Sequence, residues 1–171
     1  RPSLPPLDSQ GKSGITPITG WDASTYATTF AGEIKDGDDL AVGYVNKKNA
    51  RRLDAVIKYA LVAGKKALKD AGLPYETAAK PGDGGPIDPA RAGILVGTAM
   101  GGMNTFATAV EDWATKGFRR MNPFCIPFAI TNMPGAQLAM DTGFMGPNYS
   151  ISTACATGNY CLIAAADHIR R

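Results

Sequence analysis

Two short apolar runs, at residues 92–97 and 148–152, limit the possible folds more than any other feature of the chain. The first, built on Gly93-Ile94-Leu95-Val96-Gly97, is bounded by glycines and reads as a buried strand. The runs alternate with helical patterns. Over residues 50–71, Leu53, Val56, Ile57, Ala60, Leu61, Ala67 and Leu68 recur at i, i+3 and i+4. Gly72 stands where a residue just past a helix belongs, and Pro74 follows. Residues 104–116 predict a second helix, with Phe106, Val110 and Trp113 on one side and Gly117 as its stop. Residues 127–141 read as helical but interrupted at Pro134, a residue that can also open a following helix. Residues 155–171 predict a last helix. Residues 1–20 and 79–89, rich in Pro and Gly, read as loops. Helix and strand in alternation predict an α/β layered unit with buried parallel strands. No internal repeat or linker divides it.

The segment Ser152-Thr153-Ala154-Cys155-Ala156-Thr157-Gly158-Asn159 sets one thiol between the second apolar run and a small-residue, helix-forming run. A cysteine at a helix start sees unsatisfied N–H groups and the positive end of the dipole. Both favour thiolate, the nucleophilic form, and so point to covalent acyl transfer at Cys155. A lone Cys among Ala and Thr is also a common small core residue, and the residues alone leave both readings open. The sole imidazole, His168, lies thirteen residues further on. On one continuous helix that is about 20 Å, far outside a hydrogen bond of roughly 3 Å. His168 is therefore not the partner of Cys155; it suits the last helical turn, where a cation is favoured.

Composition excludes several other classes. The chain is 44% apolar and 19% charged, ordinary for a globular protein. No apolar run approaches the roughly 20 residues of a membrane span. A net charge of +3 is too small to argue for nucleic acid. Basic residues do cluster, as Lys47, Lys48, Arg51 and Arg52 and again as Lys116, Arg119 and Arg120, but no aromatic ladder accompanies them. Read alone, such clusters are solvated faces. Three cysteines and one histidine, without a Cys-x-x-Cys pair, make a poor metal set and fit a reducing compartment. Cys125 and Cys161 read as packing residues. Gly11-Lys12-Ser13 is no phosphate loop, since Pro6 occupies the position of the required glycine.

Eight words in order carry a resemblance: Asp22-Ala23-Ser24, Ala31-Gly32-Glu33-Ile34, Arg51-Arg52-Leu53-Asp54, Gly97-Thr98-Ala99-Met100-Gly101-Gly102-Met103, Met121-Asn122-Pro123-Phe124, Thr131-Asn132-Met133, Gly146-Pro147-Asn148 and the Cys155 segment. From about Ile15 to Arg171 the chain resembles the β-ketoacyl-acyl carrier protein synthases, condensing enzymes of fatty acid synthesis, in the form found in plastids of plants and algae. The resemblance implies a thiolase-like layered α/β fold working as a homodimer. Residues 1–171 would be its N-terminal half, truncated at both ends. It implies that Cys155 accepts an acyl chain from acyl carrier protein. Malonyl-carrier protein then loses carbon dioxide and its carbanion attacks the acyl thioester. The Cys155 N–H would be one oxyanion donor. Two histidines and a lysine of the family lie C-terminal to the nucleophile, so the isolated chain is expected to be inactive.

By the same resemblance, Met100 borders the acyl pocket, and Cys125 and Phe128 lie near where a partner subunit closes it. Lys48, Arg51, Arg52, Arg119 and Arg120 match the basic patch that docks the acidic carrier protein, which would speed encounter more than it adds affinity. No cofactor, metal, nucleic acid or membrane is expected, and the implied location is the plastid stroma, with cytoplasm as the alternative. Two other readings share the pattern: a non-catalytic, chain-length-factor-like partner subunit, against which Cys155 argues, and a polyketide ketosynthase. Two residues depart from the family pattern. Pro134 puts helix continuity in question, and Gly158, where Ser or Ala is usual, loosens the last helix by up to about 1 kcal/mol.

Overall fold

The computed structural model describes residues 11, 13–35, 41–75 and 78–171. The chain divides into two units, residues 1–39 and 40–171. In the first, β1 (Thr16–Pro17) pairs antiparallel with β2 (Phe30–Ala31), Thr16 opposite Ala31 and Pro17 opposite Phe30. The expected loop over residues 1–20 thus contains a strand where it is described; residues 1–10 and 12 lie outside the described residues. The Glu33 carboxylate accepts from the N–H groups of Thr19 and Gly20, both at 2.9 Å, and bonds the Lys35 ammonium. The Lys35 bond, followed by the two amides, holds the Glu33 carboxyl at a pKa of about 2.

In the second unit the helix expected over residues 50–71 is two helices. α1 (Lys47–Ala50) is capped by Asn46, and α2 spans Ala55–Asp70. The apolar period runs through the break, but Asp54 is extended (φ −60°, ψ 152°) and its side chain accepts from Val56 N. A carboxylate that satisfies an orphan N–H starts a helix rather than continuing one. The end of α2 is as expected: Gly72 has φ +68°, with Leu73 N–H bonded to Leu68 O and Gly72 N–H to Lys69 O.

Ile57, Leu61 and Val62 on α2 meet Leu138 and Ala139 on α5 (Met133–Thr142) to form the core. Gly64 lets the helices approach, since a Cβ there would lie 2.2 Å from Leu138 Cδ2. Buried Lys65 ties the same pair, donating to Asp141 Oδ2 and Tyr44 O, each at 2.7 Å.

β3 (Ile94–Leu95) and β4 (Asn148–Tyr149) pair in parallel, Ile94 with Asn148 and Leu95 with Tyr149. Both are shorter than the expected strands. Ile94 is buried, but Asn148 and Tyr149 are exposed, so the expectation of buried strands holds only on the β3 side. Among the described residues the two strands pair only with each other, and two edges leave little ladder to extend.

α3 (Met103–Lys116) ends at Gly117 with φ +80°, as expected, and Phe106, Val110 and Trp113 on it are all exposed. The helical stretch expected over 127–141 is α4 (Cys125–Ala129) and α5. The break falls at residues 130–132, ahead of Pro134, which sits in the first turn of α5 where its missing N–H costs nothing. α6 (Thr157–Arg170) follows a 3-10 turn at Ala154–Ala156.

Candidate active site

Cys155 is exposed and occupies the middle of that 3-10 turn. The helix expected to begin at residue 155 begins two residues later. Ala154, just before Cys155, has a left-handed φ of +47°. For a residue with a Cβ this conformation costs roughly 1–2 kcal/mol. It is held from both sides by Thr157, whose hydroxyl accepts from Thr153 N–H at 2.9 Å and donates to Ala154 O at 2.8 Å. The result is a tight elbow that lifts Cys155 onto the surface at the start of α6.

The elbow rests on the glycine turn that follows β3. A Cβ on Gly97 would lie 2.0 Å from Ile151 O and 2.4 Å from Thr157 Cγ2, so only glycine fits between turn and elbow. Ser152 Oγ donates to Ala99 O at 3.4 Å. His168 is at the far end of α6 and bonds Tyr149 OH through Nε2 at 2.9 Å, in agreement with its exclusion as the partner of Cys155.

The structure brings the three expected pocket residues onto adjoining segments. Met100, 66% exposed, stands at the crest of the turn. Next to it, Gly102 N–H donates to Ala129 O at 2.9 Å. Cβ atoms on Gly101 and Gly102 would lie 2.0 Å from Ala129 O and 2.1 Å from Phe128 O, so the turn is pressed against the end of α4. α4 carries half-buried Cys125 and Phe128. Cys161 is buried on α6, a packing residue as expected.

The basic residues divide. Lys48, Arg51 and Arg52 line one shallow depression of about 530 Å³ together with Lys47. Arg119 and Arg120 lie on a separate, exposed 3-10 turn, Phe118–Arg120. A groove of about 340 Å³ has Arg51 and Arg52 on one wall and ends at Asn122, two residues beyond Arg120. Lys116 is taken up by Asp112 at 2.5 Å, which raises its pKa.

Several residues here escaped the sequence reading as site residues. Phe124 stacks on Phe128 with centroids 5.4 Å apart, and the Arg52 guanidinium lies 5.7 Å over its ring. The three line a cavity of about 290 Å³. Ile130, exposed, has its backbone carbon 3.3 Å from a Cβ built on Gly101. Phe124 sits in a word the resemblance already used; Ile130 had no signal beyond its neighbours. Thr157 holds the elbow through local bonds three and four residues back, and Gly97 shapes it through tertiary contact.

The model of the β-ketoacyl synthase N-terminal domain matches residues 9–171, nearly the whole chain with Cys155 included. The chain belongs to the β-ketoacyl synthase family. Among curated relatives, the chloroplastic 3-oxoacyl-[acyl-carrier-protein] synthase I of Hordeum vulgare is 53% identical over 94% of the chain and 34% of its own length. Synthase II of Arabidopsis thaliana, also chloroplastic, is 49% identical over 94% of the chain and 28% of its own length. The chain thus spans about a third of the length of these synthases.

Solved structures agree. A ketosynthase/chain length factor for ishigamide matches with a TM-score of 0.69 at 25% identity, over 94% of the chain and 38% of its own. A type II PKS acyl-carrier protein in complex with its ketosynthase matches with a TM-score of 0.66 at 26% identity, over 76% of the chain and 35% of its own. Family and neighbours fit a thiolase-like fold, here with mixed helix and strand.

Proposed function

We propose that the chain is the N-terminal half of a β-ketoacyl-acyl carrier protein synthase with the layered thiolase-like architecture, acting in fatty acid biosynthesis in the plastid. The relatives named as chloroplastic synthases support both activity and location. The observation that carries the reading is the exposed Cys155 on its elbow at the head of α6. In the reaction, the Cys155 sulfur attacks the acyl thioester carbonyl and the carrier thiol leaves, which places the chain on the enzyme as a new thioester. Malonyl-carrier protein loses carbon dioxide, its C2 attacks the acyl carbonyl, and the sulfur of Cys155 is expelled. Backbone N–H groups at the elbow, the Cys155 amide among them, would stabilise the oxyanion.

Met100, Cys125 and Phe128 are proposed to line the acyl pocket, with a second copy of the subunit closing it in a homodimer. Lys48, Arg51, Arg52, Arg119 and Arg120 are proposed to dock acyl carrier protein. A neighbouring solved complex pairs a ketosynthase with its acyl-carrier protein, which supports that partner. The test is to incubate the full-length protein with an acyl-carrier protein thioester and map acyl mass by peptide. The expected adduct is on the Cys155 peptide and is lost in Cys155→Ala. A folded protein that takes no acyl group defeats the proposal.

A further inference from the structure

We infer that Asp54 is a positioning residue that locks the Met100 turn to the helix behind the basic patch, so that acyl-chain selection depends on it. The inference rests on the proposed synthase function. Asp54 is 6% exposed and uses both carboxylate oxygens on different elements. Oδ1 accepts from Val56 N at 3.1 Å and caps α2. Oδ2 accepts from Thr105 N at 2.9 Å, in the first turn of α3. Capping α2 needs only the first of these bonds. The second joins α2 to the helix that grows directly out of the glycine turn.

The fit around the carboxylate is close. A Cβ on Gly102 would lie 2.9 Å from Asp54 Cγ, 3.0 Å from its Cβ and 2.1 Å from Phe128 O. The turn is therefore clamped between the carboxylate and the carbonyls at the end of α4. Arg51 and Arg52 immediately precede Asp54, and Arg52 reaches the Phe124 ring. Asp54 thus stands between the proposed carrier-protein surface, whose Arg51 and Arg52 share a groove with it, and the proposed pocket lining.

Asp54→Ser in the full-length protein separates the two bonds, because serine caps α2 as well as aspartate does and is too short to bridge to α3. The assay compares Cys155 acylation by short-chain and long-chain acyl-carrier protein, and Cys155 alkylation by iodoacetamide. Leu61→Ala, a core change on the same helix, is the control for instability. We expect the long-to-short acylation ratio to fall about tenfold, the size of one lost charge-assisted hydrogen bond. Alkylation should stay at the wild-type rate. Asp54→Asn, which keeps one acceptor oxygen, should fall between the two. An unchanged ratio overturns the inference, as does a loss shared equally by acylation and alkylation, the pattern expected of Leu61→Ala. If Asp54→Ser does not fold, Asp54→Thr, which also caps α2 with one short hydroxyl, takes its place, and a wild-type ratio overturns the inference. Wild-type protein that accepts no acyl group overturns the function, and the inference falls with it; an acylated wild type with an unchanged variant ratio overturns the inference alone.

Discussion

Gly97→Ala is the substitution that most directly tests how the elbow is built. Gly97 follows β3, outside any helix, so alanine brings no gain in helix propensity. Its Cβ would lie 2.0 Å from a backbone carbonyl, Ile151 O, and 2.4 Å from Thr157 Cγ2. Ordinary contact is roughly 3.5 Å, so the two segments must part by more than an ångström. Rotamer change cannot relieve a clash with backbone. The cost belongs at the upper end of overpacking, about 3 kcal/mol. Displacement of Ile151 and Thr157 also disturbs the bonds that hold Ala154, and with them the aim of the sulfur. Misplacement by about 1 Å can cost a hundredfold in rate, so Cys155 acylation should fall far more than the folded fraction does. Urea unfolding and peptide-mapped acylation in the full-length protein check this. A stability loss below about 1 kcal/mol together with normal acylation would refute the close approach of turn and elbow.

Other predictions follow the same logic. A Cβ on Gly158 meets nothing within 4 Å, so Gly158→Ala should stabilise α6 by up to about 1 kcal/mol, seen as a higher Tm; a lower one contradicts the open site. Asp141→Asn leaves the Lys65 ammonium, with only 9% of its side chain exposed, without a counter-charge. It should cost about 3 kcal/mol in urea unfolding, and Lys65→Met, which strands only a partly exposed carboxylate, should cost less. Glu33 has a folded-state pKa of about 2 against an ordinary 4.5. Its stabilisation of the β1–β2 unit is full above the ordinary value and is lost as pH falls through the folded value. In an NMR titration the Thr19 and Gly20 amides should shift with a midpoint near 2, and a midpoint near 4.5 would remove the proposed bonds.

Much of this was legible in the sequence where local chemistry decides. The period of α2, the glycine after it, the stop at Gly117 and the role of Pro134 each follow from one or two residues. The start of α2 was missed because its apolar period runs on through Leu53, although Asp54 was itself a capping signal. The strands came out short because ladder length depends on partner strands rather than on the run itself. The elbow was half legible. The place of Cys155 ahead of the last helix could be read, but a left-handed Ala154 could not, since alanine carries no preference for that conformation. Gly97, Gly102 and Asp54 act by clearance and by bonds across the fold, over separations where sequence spacing carries no signal.

The elbow that carries the Cys155 sulfur and the proposed acyl pocket are built from different parts that share one support. The elbow is set by Ala154 and Thr157 and by the room Gly97 leaves. The proposed pocket is set by Met100 on the crest of the turn and by α4 pressed against it through Gly101 and Gly102. Residues 97–102 touch both. On the proposed function, changes within α4 should therefore alter the pocket and leave the elbow undisturbed. Changes at the base of the turn move the two together. Glycine at three of these six positions reflects that double duty: each faces a backbone carbonyl closer than any side chain allows, and each contact belongs to a different neighbour.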